Sequence, residues 1–377
     1  MLALSSGVNG TALDLELTQN DLISLFEISS KHDLTHLVGY ALQKNKLLPE
    51  TKIGKSFENS VFMAVYRYEQ INYELKRVCE ALERAEIHFI PLKGSVLRAY
   101  YPEAWMRTSC DIDVFVEKTD LEKACEVFET DLGFDRGSYS SHDVSFKTKS
   151  GLHIELHFDL IEDYRFPKIN SVLKNIWDNT LLKEGTSFHH IMTDEMFYFY
   201  HIAHMVKHFK NGGCGVRTFL DLWILNNRIS FVREKREKLL KEGGVYKFAK
   251  LSEKMSEVWF GDGEHQEETR LLSEFILFGG VYGNIVNRAA VNGAAEGNAG
   301  VFNFKKLWKP YRELKFWYPA LEKYKILLPF YEVRRWFDIA FGGTMERKLK
   351  EKSLTANVEH EKAEKTKKLY DALNIDN

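Results

Sequence analysis

The run DIDVFV at residues 111–116 constrains this chain more than any other. Asp111 and Asp113 stand one residue apart in an otherwise apolar segment. Acidic residues form strands poorly and are costly to bury. A strand that carries two of them must give them something to face. Alternate side chains of a strand share a face, so Asp111 and Asp113 point one way, with Cys110, Ile112 and Val114 opposite. The same rule applied to GLHIELHFDL puts His153, Glu155, His157 and Asp159 on one face and Ile154, Leu156 and Phe158 on the other. Two such strands imply a sheet with one apolar face and one acidic face. Carboxylates so placed repel unless a cation sits between them. Magnesium takes hard oxygen ligands, usually one or two protein carboxylates plus phosphate oxygens. Asp111, Asp113 and Glu155 are the candidate ligands of one or two Mg2+ ions.

The segment just upstream supplies a complementary part. IHFIPLKG reads as a short strand that ends at Lys93-Gly94, and SVLRAYY reads as a short helix. Backbone N–H groups at a helix start suit a phosphate, and glycine lets it approach closely. Lys93, Gly94 and Ser95 are therefore the candidate phosphate cradle, with Arg98 and Arg107 near enough in sequence to add positive charge. A phosphate cradle beside a carboxylate cluster is the arrangement that nucleotidyl transfer requires.

These residues resemble the polymerase-β-like nucleotidyltransferase superfamily. Its signature is an apolar residue, Gly, Gly or Ser, a spacer, then Asp-apolar-Asp/Glu-apolar. The matching residues are LKGS at Leu92–Ser95 and DIDV at Asp111–Val114, and IELH supplies a third acidic position at Glu155. More narrowly, the chain resembles the bacterial uncharacterised nucleotidyltransferase family. There Lys93-Gly94, Tyr101-Pro102, Arg107 and Asp111-Ile112-Asp113 follow in the same order. A later helix pair with His204, Lys207, His208, Gly215, Arg217 and Asp221 is also similar. The resemblance covers roughly residues 30–290 and, more weakly, LLPFYEVRRWF. The spacer from Ser95 to Asp111 is slightly longer than in minimal members, which implies an enlarged loop carrying Trp105 and Arg107. The resemblance implies an NTP substrate and an unidentified small-molecule, sugar or protein acceptor.

The hydrophobic periodicity predicts an α+β protein, a small mixed-sheet unit with helices embedded in a mostly helical chain. The expected regions are an N-terminal helical part at 1–86, the α/β core at 87–165, a helical part at 166–342 and a charged tail at 343–377. Helix starts are expected at Thr18 and Asp33. A long helix is expected from about Lys52 to Ala85, with Val61, Val65, Tyr68, Ile71, Leu75, Val78 and Leu82 as its stripe. DLEKACEVFETDLGF reads as a helix stopped by Gly133. SHDVSFKTK and GLHIELHFDL read as a hairpin turning at Ser150-Gly151. From about Ile169 onward the pattern is helical again. The Gly/Asn/Ala-rich segment at 279–300 reads as a loop. The aromatic stripes at 196–200 and 328–337 read as core, and the tail beyond Thr344 as solvated helix or disordered chain.

Composition narrows the partners. The net charge is −2, and no basic-aromatic stripe runs along the chain. Both argue against a groove for long nucleic acid. The four cysteines, Cys79, Cys110, Cys125 and Cys214, show no CxxC pairing, which fits a reducing compartment. No basic start followed by an apolar segment marks a signal peptide, and no run reaches the length of a membrane span. A cytoplasmic protein without a membrane partner is the expectation.

Two further groups admit more than one reading. His201, His204 and His208 share one helical face. They lack a Cys or Glu at ligand spacing, and a polar interface against the α/β unit is favoured over zinc. Arg217 and Asp221 stand at i and i+4. They form either a weak intrahelical ion pair or an arginine that reaches the triphosphate from the helical part, and the second is favoured. The leading function is Mg-dependent transfer of an NMP group from an NTP to a hydroxyl. The alternative is a non-catalytic nucleotide-binding or antitoxin-like module with the same fold. The three filled acidic positions favour the enzyme.

Overall fold

The computed structural model describes residues 1–160, 165–280, 287, 311, 314, 318, 320–341 and 360–373. The protein is α+β, with a five-stranded mixed sheet and a two-stranded one set among helices. The chain enters through α1 (Leu2–Asn9), α2 (Gln19–Lys31), α3 (Thr35–Lys44) and the long α4 (Lys52–Arg84). Helix α2 starts where expected. The Thr18 hydroxyl accepts from the Asp21 N–H, and the Asp21 carboxylate accepts from the Thr18 N–H, a reciprocal cap. Asp33 does not start α3. It sits in the left-handed region at φ 55, Leu34 is the capping residue, and the Asp33 carboxylate is drawn instead to Arg217. The stripe of α4 is as expected at Ile71, Val78 and Leu82, but Val65 is exposed and Ala64 takes the inward position.

The main sheet runs β1 (Phe89–Pro91), β2 (Asp111–Val116), β5 (His153–His157), β4 (Asp143–Lys147), β3 (Asp135–Tyr139). Only the β2–β5 pair is parallel. Between β1 and β2 lies the one-turn α5 (Gly94–Leu97), and between β2 and β3 lies α6 (Leu121–Thr130). Alternation decides the two faces. Ile112, Val114, Ile154, Leu156, Val144 and Phe146 pack on Ile71, Val78 and Leu82 of α4 and on Leu121, Ala124 and Phe128 of α6. Phe128 and Phe146 are fully buried, each worth on the order of 2 kcal/mol of apolar transfer. Cys110 lies outside the strand and is exposed, so it does not join this face. β3 was not legible in the sequence. All five of its residues are exposed, so it carries no apolar alternation.

The opposite face of the sheet looks toward the second half of the chain. After α7 (Pro167–Leu173) comes a small hairpin, β6 (Thr180–Leu182) and β7 (His190–Met192), within the part expected to be helical. These strands are three residues long, too short for a period to register. The Phe89 N–H donates to Phe188 O at 3.1 Å, joining this segment to β1. Helices α8 (Asp194–Lys210), α9 (Gly215–Arg228), α10 (Arg233–Glu242), α11 (Tyr246–Phe260) and α12 (Glu267–Gly279) follow. Met196 to Tyr200 are all buried, as expected. The expected loop at 279–300 falls almost wholly outside the described residues. In the helix Leu328–Phe341, Phe330 and Phe337 are exposed rather than core. Within the tail, the helix His360–Leu373 is docked, not solvated. Thr366, Leu369 and Leu373 form a buried stripe, and Tyr370 stacks under the Lys210 ammonium of α8 at 4.7 Å. Three inward positions in an otherwise charged sequence suffice to hold one helical face. Among the described residues, no helix is long and apolar enough to cross a membrane.

Candidate functional site

The polar face of the sheet lines a cavity of about 320 Å³, the size that holds a small ligand. β2 and β5 run in parallel with Asp111 opposite His153, Asp113 opposite Glu155 and Phe115 opposite His157. The three expected carboxylates, Asp111, Asp113 and Glu155, therefore stand together on one face and all line the cavity. Asp113 is the buried centre. Its Oδ1 accepts from Lys93 Nζ at 2.7 Å and from His157 Nε2 at 2.9 Å. Glu155 Oε2 lies 3.3 Å from the same His157 nitrogen. Asp113, Glu155 and His157 each offer a ligand atom within 4.8 Å of the other two; Asp111 is not in that tight group.

The electrostatics follow from this crowding. Burial pushes Asp113 up, but Lys93 and the His157 hydrogen bond outweigh it and hold its carboxyl well below the usual carboxylate range. Burial, then the Asp113 charge, pushes Asp111 up. Burial lowers His157, but its hydrogen bonds to Asp113 and Glu155 dominate and raise it to about 9. Two cationic side chains thus neutralise the centre, while at Asp111 burial and the Asp113 charge outweigh the pull of Lys93 and His153. A divalent ion fits such a donor set. It would relieve the repulsion at Asp111 and satisfy the oxygens that Lys93 and His157 now serve.

The Lys93–Gly94 turn is held tightly. Lys93 has φ 46 and ψ −121, a backbone conformation that L-residues seldom adopt. A Cβ on Gly94 would come 3.0 Å from Ser109 Cβ, so only glycine fits without moving the segment that leads into β2. Arg98 is buried beneath the turn, donating from Nε to Gly94 O and from Nη2 to Ser109 Oγ, both at 2.8 Å. It is a clamp and not a cavity residue. Lys93 and Gly94 line the cavity, whereas Ser95 does not. The Ser95 N–H is committed to Leu92 O at 3.1 Å, and its Oγ is buried without a partner among the described residues.

The facing wall comes from α8 and α9. Arg107, from the loop before β2, and Arg217 of α9 both line the cavity, and each already holds a carboxylate. Arg107 Nε donates to Asp221 Oδ1 at 2.7 Å, and Tyr101 Oη donates to the same oxygen at 2.7 Å. All three residues are buried, Asp221 completely. Arg107, expected to add positive charge beside the phosphate cradle, is held in this ion pair. The intrahelical Arg217–Asp221 pair does not form; Arg217 reaches Asp33 instead. The α8–α9 turn is tight. Gly212, Gly213 and Gly215 all have positive φ, which lets the chain reverse and places Arg217 in the first turn of α9.

His201, His204 and His208 line the same wall with Lys207. His201 Nε2 lies 3.0 Å from Thr218 O and ties α8 to α9, and the Nε2 atoms of His204 and His208 are 2.9 Å apart. The enlarged loop after α5 is packed, not free. Trp105 lies edge-on to Tyr40 at 5.2 Å, and His36 Nε2 lies 2.8 Å from Met106 O. Sequence reasoning left His142 and Asp143 of the β4 end unassigned, although both line the cavity. The signal was the register. Asp143 is opposite His157 in the β4–β5 pair.

No curated protein and no solved structure matches the chain. A family model described as an uncharacterised nucleotidyltransferase matches residues 18–261, which spans α2 to α11 and includes every residue of the site. That match covers well over half of the 377 residues, and with it the chain belongs to the uncharacterised nucleotidyltransferase family.

Proposed function

We propose that the protein transfers an NMP group from an NTP to a hydroxyl of a small-molecule, sugar or protein acceptor, with Mg2+ as cofactor. The observation that carries this reading is the opposition of two walls in one cavity. The sheet presents Asp111, Asp113 and Glu155, and the helical side presents Arg217 and Lys207. A nucleotide with its metal needs both signs at once, carboxylates for the cation and basic groups for the phosphates.

Asp111, Asp113 and Glu155 would hold one or two Mg2+ ions, which when bound supply charge neutralisation of the triphosphate and activation of the acceptor hydroxyl. The chain's own residues do the rest. Gly94 lets a phosphate come close to the backbone, and Lys93 brings an ammonium to the carboxylate centre. Arg217 stands at the start of α9 as the phosphate contact from the helical side. Arg107 acts as a positioning residue. Through Asp221 it fixes the loop before β2 against α9, and so fixes the distance between the two walls. Ser95 is left out of the nucleotide contacts because its N–H is committed to Leu92 O and the residue does not line the cavity.

The test is calorimetric titration with each NTP, with and without magnesium, on the wild type and on Asp111→Asn. Magnesium-dependent binding that is lost in the variant supports the reading. Incubation with labelled NTPs and cell extract then identifies the acceptor. Nucleotide binding with no transfer to any component would favour the non-catalytic module.

A further inference from the structure

The carboxylate centre does not use everything on its side of the sheet. Asp143 on β4 is opposite His157 on β5, so both side chains stand on the cavity face. His142, one residue earlier, has its Nε2 3.0 Å from Asp143 Oδ2, and its ring stacks on that of His157 with centroids 5.9 Å apart. One ligand atom from each of the three lies within 4.8 Å of the other two. Two imidazoles and one carboxylate differ in kind from the all-oxygen set of Asp111, Asp113 and Glu155.

A second observation comes from His157. It is 1% exposed. Its Nε2 serves Asp113 and Glu155, and its Nδ1 is buried with no hydrogen-bond partner among the described residues. Buried polar atoms without partners are rare and call for an explanation. A metal-bound histidine as a rule donates its other ring N–H to a carboxylate, which fixes the tautomer and aims the free lone pair. That half of the arrangement is already built here. With Nε2–H held by Asp113, Nδ1 is the ring atom left to a metal, which would displace the Nδ1 proton on binding.

We propose that His142, Asp143 and Nδ1 of His157 form a binding site for a divalent transition metal of the zinc class, distinct from the carboxylate site and joined to it through the His157 ring. Imidazole nitrogen selects zinc-like ions, whereas magnesium prefers oxygen alone. Three protein ligands leave a coordination position open. Because His142 and Asp143 line the cavity, that position opens on the ligand space. The site goes beyond the nucleotidyl-transfer reading and does not depend on it.

The experiment uses the purified full chain, stripped by a chelator and titrated with Co2+ alone, without nucleotide. One equivalent of Co2+ is expected to survive excess Mg2+, which competes only for the oxygen site of Asp111, Asp113 and Glu155, and to show a visible d–d band that Zn2+ abolishes. His142→Ala and Asp143→Asn, at partly exposed positions, should each weaken Co2+ binding about tenfold or more, with the melting temperature as the check on folding. Asp111→Asn and the double replacement His204→Ala with His208→Ala should leave it unchanged. Absence of saturable Co2+ binding overturns the site. So does unchanged affinity in both His142→Ala and Asp143→Asn, or a loss that follows His204 and His208 instead. Magnesium-dependent NTP binding in Asp111→Asn is a separate readout, so failure of the nucleotide reading and failure of this site are told apart.

Discussion

The ammonium of Lys93 lies 2.7 Å from Oδ1 of Asp113, and the two residues come from different elements, the turn after β1 and the middle of β2. Asp113 is thus neutralised before any ion arrives, and its neighbour Asp111 is not. The two aspartates of one strand face therefore differ in energetic role, although they have the same residue type and the same orientation.

This difference makes the two asparagine substitutions separable. Asp111→Asn removes a carboxylate held up by burial and by the Asp113 charge, so thermal stability without metal should stay level or rise. Asp113→Asn leaves Lys93 and His157 facing each other without their anion, and should cost about 3 kcal/mol, in the range for breaking a buried pair. Both should abolish magnesium-dependent NTP binding. Thermal melts and calorimetry on the same preparations check this. A stability loss in Asp111→Asn as large as in Asp113→Asn would contradict it.

Glu155 stands opposite Asp113 but on another strand, and it is less buried. We expect it to act on the acceptor side. Glu155→Gln should then keep NTP affinity within about tenfold, roughly 1.4 kcal/mol. Transfer should fall on the order of a hundredfold, the usual cost of one electrostatic contact made in the transition state. Collapse of nucleotide binding together with transfer would instead assign Glu155 to the triphosphate.

The buried group of Arg107, Asp221 and Tyr101 should behave as one unit. Asp221→Asn should cost about 3–5 kcal/mol, because the Arg107 guanidinium stays buried without its anion. Tyr101→Phe should cost about 1–3 kcal/mol, since it takes away one of two donors to the same oxygen. The double variant should cost clearly less than the sum. Urea unfolding of the three variants measures this. Strict additivity would mean that the shared oxygen does not couple them.

His189 gives a pH dependence of known sign. Burial first, then the Lys183 charge, lowers its pKa to about 4 in the folded protein, against an ordinary value of 6.5. It lies against the Phe89 ring, with centroids 4.6 Å apart. Between those values the unfolded chain takes up the proton more readily. This contribution is therefore complete above about pH 6.5 and is lost as pH falls toward 4. Discounted for solvent screening, it is worth on the order of 2 kcal/mol. Urea midpoints across this window should fall more steeply for the wild type than for His189→Gln. Equal slopes would count against it.

By itself the sequence determined the faces. A strand's period of two is local, so DIDVFV and HIELH already put Asp111, Asp113, Glu155 and His157 on polar faces and their apolar neighbours on the core. Thr18 and the apolar stripe of Ile71, Val78 and Leu82 were legible for the same reason, since capping and helical spacing act within a few residues. Only the tertiary structure decided which charges meet. Asp221 takes Arg107, 114 residues away, and not Arg217 one turn before it. Arg217 takes Asp33, 184 residues away. An exposed i,i+4 pair is worth only about 0.3–0.5 kcal/mol, too little to hold against a partner that also satisfies a buried charge. The strand order that sets Asp143 beside His157, and the docking of the tail on Leu369 and Leu373, were likewise hidden. Both depend on which surfaces remain uncovered once the rest of the chain has packed, and no local pattern encodes that.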